Sequence, residues 1–315
     1  MKYTLTAAAL LVLSPALFAQ NKDSWFDNYH ESTSQTLDGW ARSIDGWIAE
    51  PDPDRPATAN LRFMLDNQWN RYDGYSIKPR VRAKIRLPSL KKRWSLVIGD
   101  DDLDNQNRDK TNVYPNYHGL EKERHYDRQQ ARNDNASVAL RWSNFSKSWG
   151  VDTDADIGLR ARGDLYLRLK ANKEWRLDDV TTTRLEQIYR YGAKSRHYAR
   201  TNFEVKRYLA DNFFVANHLF LDYRHNKKDE SLWWGNSLYG QHHFANHKRL
   251  NYGVLVGGPI RHKAAKLNGY GPFVSWRQPI YRDWLFLQTE LNYYNNKELD
   301  RSHHLGGFMR LEVIF

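Results

Sequence analysis

Five basic side chains recur at every second position in one short stretch of the sequence. We call them the basic ladder: Lys78, Arg80, Arg82, Lys84 and Arg86. Aliphatic residues alternate with them, among them Ile77, Val81, Ala83, Ile85 and Leu87. Since successive side chains of an extended strand point to opposite faces, the stretch predicts a strand with cations on one face and apolar groups on the other. Five like charges in a row need water, counter-ions or facing carboxylates nearby.

The same alternation predicts which other charges share the face of the basic ladder. The carboxylates expected there are Asp154, Asp156, Glu186, Glu204, Asp222, Glu290 and Glu312. The further cations expected there are Arg141, Arg160, Arg162, Arg168, Lys170, Arg184, Lys206 and Arg310. Because cations outnumber carboxylates, two interpretations stand: a surface that attracts anions, or an interior closed by salt bridges.

Histidines and serines are the other candidates for chemistry. The adjacent histidine pairs are His242/His243 and His303/His304. Neighbouring residues of a strand face opposite sides, so neither pair can chelate a metal ion as a unit. Ser302 with His304, or Ser237 with His243, could serve a hydrolase, but no recognisable motif surrounds either combination. The sequence therefore predicts no catalytic residue, no metal site and no cofactor.

The first residues have the features of an export signal. Lys2 precedes an apolar stretch over 7–13, and Leu17-Phe18-Ala19 offers a cleavage site. The apolar stretch is shorter than the ~20 residues that a membrane-spanning helix needs. We therefore predict a signal peptide over 1–19. The chain contains 0 Cys, which excludes a disulfide framework.

Residues 20–58 are predicted to form an N-terminal periplasmic segment of different character. Apolar residues recur there at helical spacing: Leu37, Trp40, Ala41, Ile44, Trp47 and Ile48. They predict a short amphipathic helix with Ser34 as its N-cap, followed by a proline-rich linker over 51–56 that cannot continue the helix. Three roles stay open for the helix: a plug in a lumen, a contact for a periplasmic partner, or a docked tail.

From residue 59 to residue 315 the period-two pattern predicts an all-β fold. Charged residues make up 27% of the chain and the mean hydropathy is −0.83. An antiparallel transmembrane β-barrel reconciles these values with a membrane, because only every second side chain of its strands faces lipid. The 12 Trp and 19 Tyr suit membrane interfaces.

The strand count follows from the connections. Short turns are predicted at 88–93, 171–174, 210–212, 245–248 and 279–282, and longer loops at 101–132, 225–231, 261–267 and 295–303. Both chain termini on one side require an even number of strands. Dividing 151–170 at Arg162-Gly163-Asp164 gives fourteen, and twelve is the alternative. The loop over 101–132 is expected to be extracellular.

The last strand carries a recognition motif. Leu305, Gly307, Met309, Leu311 and Val313 alternate with other residues up to the terminal Phe315. This resembles the terminal-Phe signature by which outer-membrane barrels are recognised by their assembly machinery. The segments 281–287 and 151–160 resemble a group of uncharacterised proteobacterial outer-membrane proteins. That resemblance implies a barrel over 60–315 and carries no activity with it.

These observations predict a Gram-negative outer-membrane barrel that is a passive channel favouring small anionic solutes. The alternatives are a non-conducting structural or surface-interaction barrel and an outer-membrane lipid-modifying enzyme. The net charge of +11 favours an anionic partner. The expected partners are outer-membrane lipids and lipopolysaccharide, the barrel-assembly machinery and small anions, whereas nucleic acid is excluded by export.

Overall fold

A computed structural model describes residues 24–48, 56–90, 93–99, 135–144, 150–225 and 230–315. The predicted signal peptide and the loop predicted over 101–132 lie outside the described residues.

Fourteen long strands form the wall of the molecule, and each pairs antiparallel with the next along the chain. They are β1 (Ala59–Asn70), β2 (Gly74–Arg86), β3 (Trp94–Gly99), β4 (Ser137–Ser143), β5 (Asp152–Arg160), β6 (Asp164–Arg176), β7 (Thr181–Gly192), β8 (Arg196–Ala210), β9 (Phe213–His225), β10 (Glu230–Phe244), β11 (Lys248–Arg261), β13 (Gly269–Tyr281), β14 (Leu285–Asn296) and β15 (Arg301–Ile314). A two-residue strand, β12 (Ala264–Ala265), pairs only with the end of β11.

The wall closes where the last strand meets the first. β15 pairs with β1 from Arg62↔Ile314 to Asn70↔Gly306. Beyond this ladder, the Phe315 amide donates to the Leu61 carbonyl (2.8 Å) and the Leu61 amide donates to the Phe315 carbonyl (3.1 Å). Closure pairs the first strand of the sheet with the last, so the predicted antiparallel barrel is confirmed with fourteen strands.

The strand count depends on a tight turn at Ala161–Gly163. Arg162 and Gly163 both have positive φ angles, 64° and 69°. Two successive left-handed residues give a turn whose twist suits a hairpin, and Gly is the residue that adopts this conformation without a Cβ clash. The predicted division of the long stretch over 151–170 is therefore correct, although the turn starts one residue earlier than expected.

The turn predicted at 171–174 is wrong, because those residues lie inside β6. The chain reverses at 177–180 instead, where the Leu177 amide donates to the Thr181 carbonyl (2.9 Å). The Asp178 carboxylate accepts from the Val180 amide (2.8 Å), which lowers the pKa of Asp178. A run of polar residues suggests a turn in most proteins, but in a barrel with a polar interior the strand continues through it.

The two ends of the barrel differ in what they carry. The helix end holds α1, the start of β1 and the end of β15; the loop end is opposite. Short turns connect strands at both ends, for example 245–247 at the helix end and 193–195 at the loop end. β3 ends and β4 begins at the loop end, and residues 100–136 separate them along the chain. Long loops at one end are typical of the extracellular side of such barrels.

The outward face of the wall is apolar and exposed. Exposed aliphatic side chains on it include Ile77, Leu140, Ile157, Leu159, Leu167, Leu169, Leu221, Val254, Leu291, Leu305 and Met309. A contiguous band of this kind is found where lipid, not water, is the surrounding solvent. No helix in the described part of the chain is both long and apolar enough to cross a membrane.

The helix, α1 (Trp25–Ile48), is twice as long as predicted. It begins after Ser24, not Ser34. The Asp27 amide donates to the Ser24 hydroxyl (3.4 Å), and the Ser24 amide donates to the Asp27 carboxylate (3.1 Å). This reciprocal capping box satisfies amides that the first turn leaves free. The pattern over 37–48 identified the second half of the helix only.

α1 packs against the outside of the wall at the helix end. Ala41 and Ile44 contact a cluster that contains Ile85 of β2 and Leu96 of β3, both of which alternate with inward residues and therefore point outward. Ile85 is 7% exposed, whereas Ile77 on the same face of β2 is 42% exposed. The helix therefore covers part of the lipid-facing wall and is not a plug in the lumen.

Polar contacts fix α1 along the rim. The His30 ring donates to the Ile314 carbonyl (2.8 Å) and stacks on Phe315. The Ala59 amide donates to the Asp38 carboxylate (3.0 Å), and Ser89 in the connection between β2 and β3 donates to Asp45. These contacts extend from β15 across β1 to β2, so α1 lies over the seam where the barrel closes.

We expect Gly163→Ala to destabilise the barrel by about 1 kcal/mol, because an alanine at this positive φ brings its Cβ close to the following carbonyl. The temperature at which the folded band disappears in heat-modifiable electrophoresis measures this. Gly307→Ala is the control, since a Cβ there meets nothing within 4 Å. Equal stability of the two variants would contradict the assigned turn.

We expect the N-terminal turn of α1 to detach from the rim only in strong acid. The Tyr281 hydroxyl donates to the Asp27 carboxylate (2.8 Å), and this contact is the main cause that lowers the pKa of Asp27 to about 2. A carboxyl group with a lowered pKa stabilises the docked state fully above its ordinary pKa near 3.8 and loses that effect as the pH falls towards 2. A nitroxide at Glu31→Cys should gain mobility across this interval. Adding Asp27→Asn should abolish the pH dependence, and a transition above pH ~5 would contradict the assignment.

Candidate functional site

The basic ladder lies on the inward face of β2. Arg80 and Arg82 are 4% and 6% exposed. Arg82 donates to the Gly99 carbonyl of β3 (3.1 Å), and Arg80 lies 3.6 Å from the Asp66 carboxylate of β1. Lys78 and Lys84 are half-buried and Arg86, near the helix end, is exposed. Phe315, the residue predicted to be recognised by the assembly machinery, follows β15 at the seam.

One carboxylate joins the basic ladder to the closing strand. Asp66 accepts from two nitrogens of Arg310, with Nη2 at 2.6 Å, while Arg80 approaches from the other side. Asp66 was absent from the carboxylates that the sequence placed on this face, because β1 lacks clean alternation. A two-pronged Arg–carboxylate contact fixes geometry more strictly than a single hydrogen bond does.

The same arrangement, one carboxylate between two cations, occurs in at least five places among the inward residues that the structure describes. We call each such group a triad. The triads are Asp66 with Arg80 and Arg310; Asp156 with Arg141 and Arg168; Glu186 with Lys170 and Arg184; Asp222 with Arg200 and Arg224; and Glu312 with Arg62 and Arg277. Each triad carries a formal charge of one positive unit, so the wall is lined by paired charges and still remains positive.

The carboxylates of the triads are deeply buried. Asp156 is 1% exposed, and Arg141 and Arg168 approach it to 2.7 and 3.0 Å. A buried carboxylate is tolerated when hydrogen-bonded cations offset the cost of removing it from water. The triads thus explain how a strongly charged sequence can fold with its charges inside.

The inward faces of β10, β11, β13 and β14 form a neutral sector. Their charged residues are Arg249, Arg277 and Glu290. The remaining inward residues are mostly small, amide or aromatic, including Ser237, Tyr239, Gln241, Asn251, Phe273, Ser275, Gln288, Asn292 and Tyr294. The interior is therefore charged on the side formed by β15 and β1 to β9 and nearly neutral on the opposite side.

Several polar atoms of the neutral sector have no protein partner. The Ser237 hydroxyl, the Gln241 Oε1 and both amide atoms of Asn251 are buried without one, as is the Asn292 Oδ1. Buried polar groups are normally hydrogen-bonded, by water where protein does not supply the partner. These atoms therefore call for water or a polar solute inside the barrel.

The histidine and serine candidates do not form a hydrolytic site. The Ser302 hydroxyl lies 3.2 Å from the Tyr72 hydroxyl, and the His304 Nδ1 contacts the Ser302 backbone carbonyl (2.9 Å). Ser237 and His243 share the inward face of β10 but are six residues apart, which is about 20 Å along a strand. His243 instead contacts the Gln241 amide (2.6 Å).

Aromatic residues form two girdles on the outward face. At the loop end they include Trp69, Tyr75, Tyr191, Tyr270 and Tyr293, and at the helix end Trp94, Trp142, Trp175 and Phe244. On β10, ten residues separate Trp234 from Phe244, which is about 34 Å along the strand and about 26 Å along the barrel axis at a tilt of about 40°. This is close to the ~25 Å apolar band of transmembrane barrels. Girdles at this spacing mark the two interfaces of a membrane. The protein is an outer-membrane β-barrel.

The solved structures that this chain resembles include an outer membrane protein and two porins. OmpT, an outer membrane protein of Vibrio cholerae, matches at 9% identity and a TM-score of 0.49 over 85% of this chain and 100% of its own. The NanC porin matches at 6% identity and a TM-score of 0.38 over 80% and 98%. The KdgM porin matches at 8% identity and 0.36 over 80% and 98%. No family model matches the chain, and no curated protein matches it in sequence. Membership of the group of uncharacterised proteobacterial outer-membrane proteins stays a prediction. Structural similarity at this level of identity does not show which solute, if any, this chain transports.

We expect Glu312→Gln to destabilise the barrel by about 3 kcal/mol, because it leaves the buried Arg277 beside Arg62 without their shared carboxylate. Glu298→Gln is the matched control. It breaks a pair with Arg261 (2.7 Å) at the exposed rim, where the loss should be below about 1 kcal/mol. Unfolding in urea, followed by electrophoretic mobility, measures both. Equal losses would show that the Glu312 triad is not a structural unit.

Proposed function

We propose that this outer-membrane barrel is a narrow channel that favours small anions. The observation that carries the proposal is the set of five triads, in each of which one inward carboxylate is matched by two cations. The excess positive charge therefore does not depend on the protonation of any single group. It is distributed along the wall from one end of the barrel to the other.

Buried polar atoms that lack protein partners support a permeable barrel. An ion crosses a membrane protein only where it keeps its hydration water or where polar groups replace that water. The neutral sector offers buried amide and hydroxyl atoms that lack protein partners. A barrel of fourteen strands is wider than the eight-stranded barrels whose side chains fill them, and narrower than the porins that enclose a wide aqueous pore. The neutral sector is thus the side along which water would be held.

The size of the electrostatic effect is sufficient for selectivity. One unit charge about 5 Å from a passing ion changes the energy of that ion by about 0.8 kcal/mol even in water, which is about fourfold in local concentration. Low-dielectric walls increase this effect. Most inward side chains are shielded from solvent, as Arg168 and Arg310 at 1% exposure show, so the passage suits small solutes.

That shielding also supports the second candidate, a non-conducting structural barrel. In such a barrel the triads would serve only to hold the strands together, and the unpartnered atoms of the neutral sector would bind fixed water. The two candidates differ in one measurable property, the passage of ions through the barrel from one side of the membrane to the other.

We expect purified protein in a planar bilayer to conduct, with a reversal potential in a salt gradient that shows preference for anions. Arg82→Gln combined with Lys84→Gln removes two inward charges. Each lost charge should lower the local anion concentration about fourfold and raise the local cation concentration about fourfold, so the anion-to-cation permeability ratio should fall about sixteenfold per charge at low salt. The effect should shrink at 1 M salt, where the Debye length is about 3 Å.

Lys173→Gln combined with Arg207→Gln is the matched control. It removes one lysine and one arginine from the outward face, so the total charge changes equally while the interior is untouched. Its reversal potential should equal that of the wild type. Equal shifts in both variants would place the selectivity outside the interior. A folded wild type without conductance would contradict the channel and support the structural barrel.

A further inference from the structure

One side of α1 carries large aromatic residues whose side chains are mostly exposed in the described structure. We call Trp25, Tyr29, Trp40 and Trp47 the aromatic stripe; they are 70%, 71%, 62% and 86% exposed. At about 100° per residue, the four side chains fall within a sector of about 60° on the helix. Four such rings in one sector are an apolar patch that a surface in contact with water rarely carries.

The polar groups within this sector are satisfied by the helix itself. The hydroxyls of Thr33, Thr36 and Ser43 each donate to the carbonyl four residues earlier, at 2.8, 2.8 and 3.0 Å. No charged residue lies in the sector of the aromatic stripe. Hydroxyls that are bonded back to their own helix need no partner from the surroundings, as is usual for helices in contact with lipid.

α1 has three distinct sides. The first packs on the wall through Ala41 and Ile44, the second is the aromatic stripe, and the third carries the charged residues Glu31 and Arg42. The wall that the first side covers is the outward, lipid-facing surface of β2 and β3. A helix lying against that surface along the rim must turn one free side towards the membrane and the other towards water.

We propose that the aromatic stripe inserts into the periplasmic leaflet of the outer membrane, at the boundary between phospholipid headgroups and acyl chains. The stripe continues the girdle of the helix end, which Trp94 and Trp142 begin on the adjacent strands. Trp and Tyr are enriched at this depth because their rings are apolar and their N–H and O–H groups are polar. α1 then holds the seam between β15 and β1 from the lipid side.

The charge of α1 indicates how it binds. The helix contains four carboxylates, Asp27, Glu31, Asp38 and Asp45, against one arginine, Arg42. Such a helix gains nothing from anionic headgroups, so burial of aromatic surface is the source of its affinity. Its insertion should therefore be insensitive to salt.

The absence of cysteine makes a direct test possible. Thr36→Cys places a nitroxide on the side of the aromatic stripe, and Gln35→Cys places one on the charged side; both positions are exposed. The full chain is reconstituted in phosphatidylethanolamine and phosphatidylglycerol vesicles. The label at 36 should collide several-fold more with oxygen than with a water-soluble nickel chelate, and the label at 35 should show the reverse. High salt should leave both ratios unchanged.

A second variant tests whether the rings cause the insertion. Trp40→Ser with Trp47→Ser, in the Thr36→Cys background, should move the label at 36 towards nickel accessibility. Heat-modifiable migration verifies that each variant contains a folded barrel. Equal nickel accessibility at 35 and 36 would overturn the proposal. Shielding of position 36 from both reagents would also overturn it, because it would show that protein, and not lipid, covers the stripe.

Discussion

The structure depends on one constraint, that every backbone amide and carbonyl within a membrane must find its partner inside the protein. A sheet satisfies this constraint only when its first strand pairs with its last, and here β1 and β15 form nine paired positions. Asp66 and Arg310 face each other in that ladder and form a two-pronged contact. The seam is thus joined by backbone and by buried charge, and α1 covers its end at the rim.

Closure decides where every side chain points. Once the strands form a ring, alternate residues face lipid or the interior, so the cations of β2 cannot be placed elsewhere without exposing them to hydrocarbon. Inside, carboxylates on neighbouring strands offset the cost of burying them. In each triad the carboxylate contacts at least one cation on a neighbouring or more distant strand, as Glu312 does with Arg62 of β1 and Arg277 of β13. The contacts that balance charge therefore also join strands. The stability of the wall and the net positive charge of the inward face thus depend on the same residues.

The division of the interior into a charged and a neutral side gives two environments within one barrel. The triads supply an excess of positive charge on one side, and the neutral sector supplies amide and hydroxyl groups opposite it. An anion between them would meet charge on one side and hydrogen-bond donors such as Asn251 on the other. The outer surface is divided as well, since α1 replaces part of the bare wall at the helix end with its own aromatic and charged sides.

The amino-acid pattern was sufficient to predict the barrel, its fourteen strands and the inward charges on the clearly alternating strands, because lipid imposes a strict period of two. The pattern did not place the turn at 177–180, because the polar residues within β6 resemble a turn. It also did not extend α1 back to Trp25, because the ring of Trp25 lies outside the side of the helix that packs on the wall. The triads became visible with the tertiary structure, because the cross-strand register and the reach of each side chain select which cations meet a carboxylate. The tertiary structure also decided that α1 lies outside the wall, since an amphipathic pattern shows that a helix has an apolar side but not which surface that side covers.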